Sequence, residues 1–102
     1  MNEGILKAQQ FINKVKSTGI KVSVASLFGS WAKGTAHGDS DIDVCVVSPD
    51  FGKDYIREMV ELRKIALTID SRIEPVPLSP GDYSDPLATL ASQIRRFSLP
   101  LQ

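Results

Sequence analysis

The sequence predicts an α/β (α+β) fold in which a small mixed β-sheet is flanked by helices. Two observations support this prediction. Helical and strand-like patterns alternate along the 102 residues, in the order helix, strand, strand, helix, strand, helix. Glycine and proline residues mark turns between these patterns. The length suits one small domain, and we expect residues 1–102 to form it as a single unit.

The first half of the chain is predicted to form a helix followed by two strands. Apolar residues recur at helical spacing over residues 3–17, and residues 20–28 alternate between apolar and polar as a strand does. Residues 31–34 are expected to form a short helical turn, and the polar residues 35–40 to form a loop. The sequence Asp-Ile-Asp-Val-Cys-Val-Val over residues 41–47 predicts the second strand.

The second half is predicted to form a helix, an edge strand and a last helix. Residues 54–67 have a helical pattern, and Asp54 is placed to cap its N-terminus. Residues 70–78 contain two prolines within a strand pattern, and because proline lacks a backbone donor, this strand should lie at a sheet edge. Residues 79–84 predict a turn, and the Asp-Pro pair at 85–86 is expected to begin the last helix.

Composition argues against several classes of protein. Twelve basic residues balance 12 acidic ones, whereas a sequence-independent nucleic-acid binder normally has a basic excess. The single cysteine, Cys45, excludes an internal disulfide and a cysteine-rich metal site, and within an apolar run it is expected to be a small core residue. No apolar run approaches the ~18 residues of a membrane span, and no secretory signal is visible at the start. We therefore expect a cytoplasmic protein without a membrane partner.

Two aspartates on the second predicted strand are the leading candidates for metal ligands. Asp41 and Asp43 are separated by one residue. Side chains alternate along a strand, so both carboxylates point to the same face, roughly 6–7 Å apart along the backbone. Two like charges this close are costly unless a cation lies between them. Mg²⁺ prefers oxygen ligands and usually binds one or two carboxylates together with substrate phosphates.

A third carboxylate should come from an adjacent strand. Glu74 is favoured because it lies inside the strand pattern, between Ile73 and Val76. Asp70 has the same side-chain parity and lies at the mouth of that strand, so the pattern leaves both residues open.

A glycine and a serine follow the first predicted strand. Gly29 allows the backbone to approach a phosphate closely, and the Ser30 hydroxyl and the following amides can donate hydrogen bonds to it. A phosphate cradle beside two or three carboxylates is typical of a two-metal site for phosphoryl or nucleotidyl transfer. In such a site one metal activates the attacking oxygen, and the other binds the triphosphate and stabilises the leaving pyrophosphate.

This block of sequence resembles a known family. Gly29-Ser30 is followed after ten residues by Asp41-Ile42-Asp43, which is the signature of the nucleotidyltransferase superfamily that includes DNA polymerase beta. The resemblance covers roughly residues 20–78. The finer pattern of small residues around this signature resembles the minimal nucleotidyltransferases, many of which are encoded beside a HEPN-domain partner as toxin–antitoxin pairs.

The resemblance implies a role for each residue of the motif. Gly29 and Ser30 would contact the nucleoside triphosphate, while Asp41, Asp43 and Glu74 would bind two Mg²⁺ ions, with Mn²⁺ as a possible substitute. The glutamate is a departure, because aspartate is commoner at that position of the family. A further serine, at position 40, is open to two interpretations, a nucleotide contact or a turn cap.

The resemblance also implies a reaction and a partner. The leading hypothesis is transfer of AMP from ATP to a hydroxyl of a partner protein, as the antitoxin of a HEPN toxin–antitoxin pair. One alternative is a binding module of the same fold that neutralises its partner by contact alone, and another is transfer to a small molecule. Three apolar residues near the end either close the core or form a docking patch for another chain, such as a second copy, and docking is favoured; they are Phe97, Leu99 and Leu101.

Overall fold

A four-stranded mixed sheet organises the fold of the computed structural model, which describes residues 2–102. The strands are β1 (Val24–Phe28), β2 (Ile42–Val47), β3 (Ile73–Leu78) and β4 (Leu99–Pro100). Their order in the sheet is β3-β2-β1-β4; β2 is parallel to β3 and antiparallel to β1, which is antiparallel to β4. The predicted fold class is confirmed, and β3 lies at an edge, as its prolines predict.

Helices cover both faces of the sheet. The two long ones agree with the predicted bounds, because each has a capping side chain where the pattern begins. Asn2 accepts a hydrogen bond from the backbone N–H of Ile5, and Asp54 accepts one from that of Arg57, both at 3.2 Å. In the described part of the chain the helices are α1 (Glu3–Ser17), α2 (Ser30–Lys33), α3 (Tyr55–Leu67), α4 (Pro80–Ser84) and α5 (Thr89–Arg96).

The alternation of side chains along β2 divides the core into two parts. One face, with Ile42, Val44 and Val46, belongs to the main core, together with buried residues of α1 and α3. The opposite face, with Cys45 and Val47, packs against Ile94 of α5 in a smaller cluster. Asp43 has the parity of this second face, so the predicted metal ligands lie on the α5 side of the sheet.

Several predicted boundaries were wrong. The first strand begins at Val24 rather than at residue 20, although Ile20 and Val22 still pack against the core. Residues 80–84 form a helix instead of a turn, because the Ser79 hydroxyl accepts a hydrogen bond from the N–H of Asp82 at 3.1 Å. The last helix begins at Thr89 rather than at 85–86, since Asp85 accepts a hydrogen bond from the N–H of Leu87 and forms a separate turn.

The end of the chain forms a strand that the sequence did not predict. Leu99 and Pro100 pair with β1, and the N–H of Leu101 donates to the carbonyl of Ala25 at 2.8 Å. Leu101 packs against the main core, so the docking interpretation is corrected in favour of core closure for this residue. Phe97 stays 54% exposed. Within residues 2–102, no helix is both long and apolar enough to cross a membrane.

The loop before α3 depends on one buried carboxylate. Glu58 is 9% exposed and accepts hydrogen bonds from three consecutive backbone N–H groups, of residues 52–54, at 3.0–3.2 Å. Burial raises the pKa of Glu58, but these bonds outweigh it and lower the pKa overall.

We expect Glu58→Gln to lower the free energy of unfolding by about 1–2 kcal/mol, measured by urea denaturation. Glu61→Gln is the control on the same helix, where the ion pair with Arg57 is exposed and is worth under about 1 kcal/mol. Equal effects of the two substitutions would contradict this account.

Candidate active site

Strand register brings together residues that are far apart in the sequence. Asp43 lies opposite Phe28 in β1 and beside Glu74 in β3. Gly29 directly follows Phe28, so the end of β1 reaches the aspartate. Asp41 is exposed and immediately precedes β2. The structure thus brings together four predicted site residues at one end of the central strands.

The backbone at Gly29 passes directly against the Asp43 carboxylate. Gly29 has φ 73° and ψ −153°, a conformation that only glycine adopts readily. A Cβ atom at this position would overlap Asp43 Oδ2 and lie 3.2 Å from its Cγ. Ser30 begins α2, and the carbonyl of Gly29 accepts hydrogen bonds from the next turn. The glycine therefore allows the Asp43 carboxylate to lie against the backbone, in the space where a side chain of residue 29 would begin.

The surroundings of Asp43 disfavour its charge. Burial is the main cause, and repulsion from Asp41 and Glu74 adds to it, so the pKa of Asp43 is raised from 3.8 to about 6. A cation placed at this position would remove the repulsion. It would also favour the charged form of Asp43 over the protonated form.

The raised pKa predicts how stability depends on pH when no metal is present. The folded chain binds the Asp43 proton more tightly than the unfolded chain, so this stabilisation is complete below pH 3.8 and is lost as pH rises through about 6. After allowance for solvent screening, the free energy of unfolding of Asp43→Asn, relative to that of the original chain, should rise by on the order of 1 kcal/mol between about pH 4 and about pH 7.5. Urea unfolding with a chelator present measures this gain. A difference that does not change with pH would contradict it.

Two arginines hold the two candidates for the third carboxylate. Arg63 of α3 forms a 2.6 Å ion pair with Glu74 and donates to the carbonyl of Ile73 at 2.8 Å. Arg72 donates to Asp70 through Nε and Nη2 at 3.0 and 2.8 Å, and lowers the pKa of Asp70 to about 2. Asp70 therefore stabilises the turn before β3 through its contacts with Arg72, whereas Glu74 lies beside Asp43.

The donor set fits a hard divalent cation. Among residues 2–102, no three His, Cys, Asp or Glu side chains are grouped closely enough to hold a metal ion, and Glu74 is held by Arg63. Two carboxylates completed by substrate phosphates are nevertheless a common way to bind Mg²⁺. Cys45, on the same face as Asp43, is no ligand candidate, because burial raises its thiol pKa to about 12.

Ser40 lies in a turn. Its hydroxyl accepts a hydrogen bond from the N–H of His37 at 2.8 Å, and its carbonyl accepts one from the indole N–H of Trp31 at 3.1 Å. These contacts match the turn-cap interpretation of this residue. The indole bond ties α2 to the loop that precedes Asp41.

Two parts of the site, Arg63 and the wall formed by α5, are not predicted by the sequence. Arg63 follows the buried Leu62 in the helical pattern. An arginine at the border of the buried face of a helix can extend its guanidinium to a nearby carboxylate or carbonyl, and this position was the available signal. A cavity of about 340 Å³ adjoins Gly29, with one wall formed by residues of α5. Nothing in the sequence pattern indicated that α5 turns toward this site.

Comparison with known proteins places the chain in a family. The model of the nucleotidyltransferase domain matches residues 8–76, a range that includes Gly29, Ser30, Asp41, Asp43 and Glu74. The chain belongs to the nucleotidyltransferase family. The resemblance predicted from the glycine–serine pair and the two aspartates is confirmed.

Named relatives agree with this nucleotidyltransferase assignment. The chain is 33% identical over 73 residues to the protein adenylyltransferase MntA of Shewanella oneidensis, an alignment that covers 72% of this chain and 52% of the relative, about half its length. A crystal structure of a toxin–antitoxin with AMP-PNP matches at TM-score 0.68 and 29% identity, over 92% of this chain and 72% of the other. A structure of the tri-AMPylated Shewanella oneidensis HEPN toxin in complex with its MNT antitoxin matches at TM-score 0.66 and 26% identity, over 100% and 72% of the two chains.

Proposed function

We propose that this nucleotidyltransferase transfers AMP from ATP to a hydroxyl of a partner protein, in the cytoplasm and with Mg²⁺. The observation that supports the proposal best is the register that places Asp43 beside both Gly29 and Glu74. The partner is proposed to be a HEPN-domain toxin, with this chain as its antitoxin. The relatives support this partner, because they are an adenylyltransferase and complexes of HEPN toxin with MNT antitoxin.

Four residues would position the nucleotide. Asp41 and Asp43 would hold the Mg²⁺ ions, whose charge would offset the burial and the carboxylate repulsion that raise the Asp43 pKa. Gly29 allows the Asp43 carboxylate to lie against the backbone beside the proposed triphosphate site, and the Ser30 hydroxyl donates to one of the triphosphate oxygens. When bound, Mg²⁺ supplies the positive charge that polarises the α-phosphate and stabilises the leaving pyrophosphate.

The acceptor hydroxyl attacks the α-phosphorus in line with the leaving group. A bond forms between the acceptor oxygen and phosphorus, the bond to the α–β bridging oxygen breaks, and pyrophosphate leaves with that electron pair. Glu74 orients the hydroxyl and accepts its proton. Arg63 keeps the Glu74 carboxylate in place through the 2.6 Å ion pair, and acts as a positioning residue.

Substitution separates the two candidates for the third carboxylate. We expect Glu74→Gln to lower the transfer rate by roughly 100-fold, because general-base catalysis contributes about 10²–10⁴-fold. Asp70→Asn removes the charge that pairs with Arg72 and lowers stability, but the folded fraction should keep its rate within about threefold. Rates are compared per folded protein, with the folded fraction measured by circular dichroism. A larger rate loss in Asp70→Asn than in Glu74→Gln would exchange the two roles.

The proposed function is tested by labelling. The purified chain is incubated with Mg²⁺ and ATP labelled at the α-phosphate, with and without lysate from its source organism as the source of the partner, and the mass of any labelled protein is measured intact. The expected result is an AMP-sized mass increase on the partner that is absent with Asp43→Asn. A partner that is bound and neutralised without label, with any of the four nucleotides, would favour the contact-only module. Label on a small molecule would favour the other alternative.

A further inference from the structure

We infer that the cavity between the end of β1 and α5 binds the nucleoside part of the triphosphate, with the base against α5. The inference rests on the proposed function, because it concerns the same substrate. The cavity measures about 340 Å³, within the range of roughly 300–1,000 Å³ typical of small-molecule sites. This α5 cavity is lined by Phe28, Gly29, Lys33, Leu90, Gln93 and Phe97.

The α5 cavity and the carboxylates meet at Gly29. This residue lines the cavity and also lies against the Asp43 carboxylate. The carboxylates and the α5 cavity are on the same face of the sheet, because Phe28, opposite Asp43 in the register, packs in the cluster that contains Ile94 of α5. A nucleoside triphosphate is one continuous molecule. Phosphates held at Gly29 therefore direct the sugar and base into the space that adjoins it.

The charges around the α5 cavity determine which end of the molecule lies where. Lys33 is the charged member of the lining and comes from α2, which begins directly after Gly29. No carboxylate is among the lining residues. The anionic phosphates are thus favoured at the Gly29 and Lys33 end, and the neutral base at the wall formed by Leu90, Gln93 and Phe97.

The α5 wall has the chemistry of a base-binding site. Phe97 and Leu90 are 54% and 46% exposed, so their apolar surface is not used by the core. The Arg96 guanidinium lies 5.3 Å from the centroid of the Phe97 ring. Bases stack on aromatic rings irrespective of sequence, and the Gln93 amide can both donate to and accept from a base edge. Phe97 would thus supply affinity, and Gln93 preference among bases.

The test compares nucleotides with inorganic triphosphate. Affinities for ATP, GTP, CTP, UTP and triphosphate are measured by calorimetry with Mg²⁺ present, on the full chain and on variants checked by circular dichroism. We expect Phe97→Ala to weaken ATP binding roughly 10-fold and leave triphosphate binding unchanged. Gln93→Leu should reduce the differences among the four nucleotides. Leu90→Ala should weaken ATP binding a few-fold. Leu87→Ala is the matched control, because Leu87 is 89% exposed and lies outside the cavity lining.

Each other outcome has a defined meaning. If ATP binds more tightly than triphosphate but Phe97→Ala, Leu90→Ala and Gln93→Leu leave its affinity within about twofold, the base binds elsewhere and the inference is overturned. It is also overturned if these variants weaken ATP and triphosphate equally, or if Leu87→Ala has the same effect as Leu90→Ala. If neither ATP nor triphosphate binds the original chain, the proposed function itself fails, and this result is distinct from the others.

Discussion

Asp43→Asn is expected to lower the rate of AMP transfer on the order of 1,000-fold while the protein stays folded. The substitution removes one of the two carboxylates proposed to hold Mg²⁺, and loss of a single group that stabilises transition-state charge typically costs 10²–10³-fold, with a metal ligand at the upper end. The amide also ends the repulsion with Asp41 and Glu74. Loss of activity should therefore accompany equal or higher stability near neutral pH, a combination that misfolding does not produce.

Initial rates of label transfer at saturating ATP measure this effect. Asp41→Asn should give a loss of similar size, and Asp39→Asn is the control, since Asp39 is an exposed residue of the preceding loop. If the Asp41→Asn, Asp43→Asn double variant kept its transfer activity, the assignment of both aspartates would be wrong. A large loss in Asp39→Asn would show that the effect is one of general surface charge.

Gly29→Ala is expected to abolish detectable transfer and to destabilise the fold by about 1–3 kcal/mol. The added methyl group meets two obstacles at once. The backbone conformation, φ 73° and ψ −153°, is strained for any L side chain, and the Cβ atom would displace the Asp43 carboxylate. Because Asp43 must move away from the phosphate cradle, nucleotide binding should be lost together with stability.

Gly34→Ala is the matched control for this change. Gly34 also has a positive φ, 79°, but a Cβ there meets nothing within 4 Å. It should cost about 1 kcal/mol of stability and leave the transfer rate of the folded protein unchanged. Calorimetric titration with an ATP analogue measures nucleotide binding, and urea unfolding measures stability. Equal rates for the two variants would show that the contact between Gly29 and Asp43 is not needed.

The parts of the fold that were predictable are those governed by local patterns. Helices α1 and α3 each combine an apolar stripe with a capping side chain, Asn2 or Asp54, so their bounds follow from neighbouring residues alone. β4 could not be predicted, because two residues that include Pro100 have no strand pattern of their own. Their strand conformation comes from pairing with β1, a contact with residues more than 70 positions earlier.

The candidate site was predictable where it lies on one segment. The spacing of Asp41 and Asp43 on one strand follows from side-chain alternation. The sequence could not decide which residue supplies the third carboxylate, because Asp70 and Glu74 share the same parity. Only the β2–β3 register and the bonds of Arg72 distinguish them. The α5 wall was not predictable, because the position of α5, which follows α4 and the turn at Asp85, depends on packing against Cys45 and Val47.

Anomalous X-ray diffraction from crystals grown with Mn²⁺ and a non-hydrolysable ATP analogue tests the central claim most directly. The claim is that the carboxylates beside Gly29 hold a divalent cation together with a triphosphate. We predict an anomalous peak within coordination distance of Asp41 and Asp43, with the triphosphate against Gly29 and Ser30, and no such peak in Asp43→Asn. A triphosphate bound elsewhere, or Mn²⁺ bound only away from these two aspartates, would contradict the account.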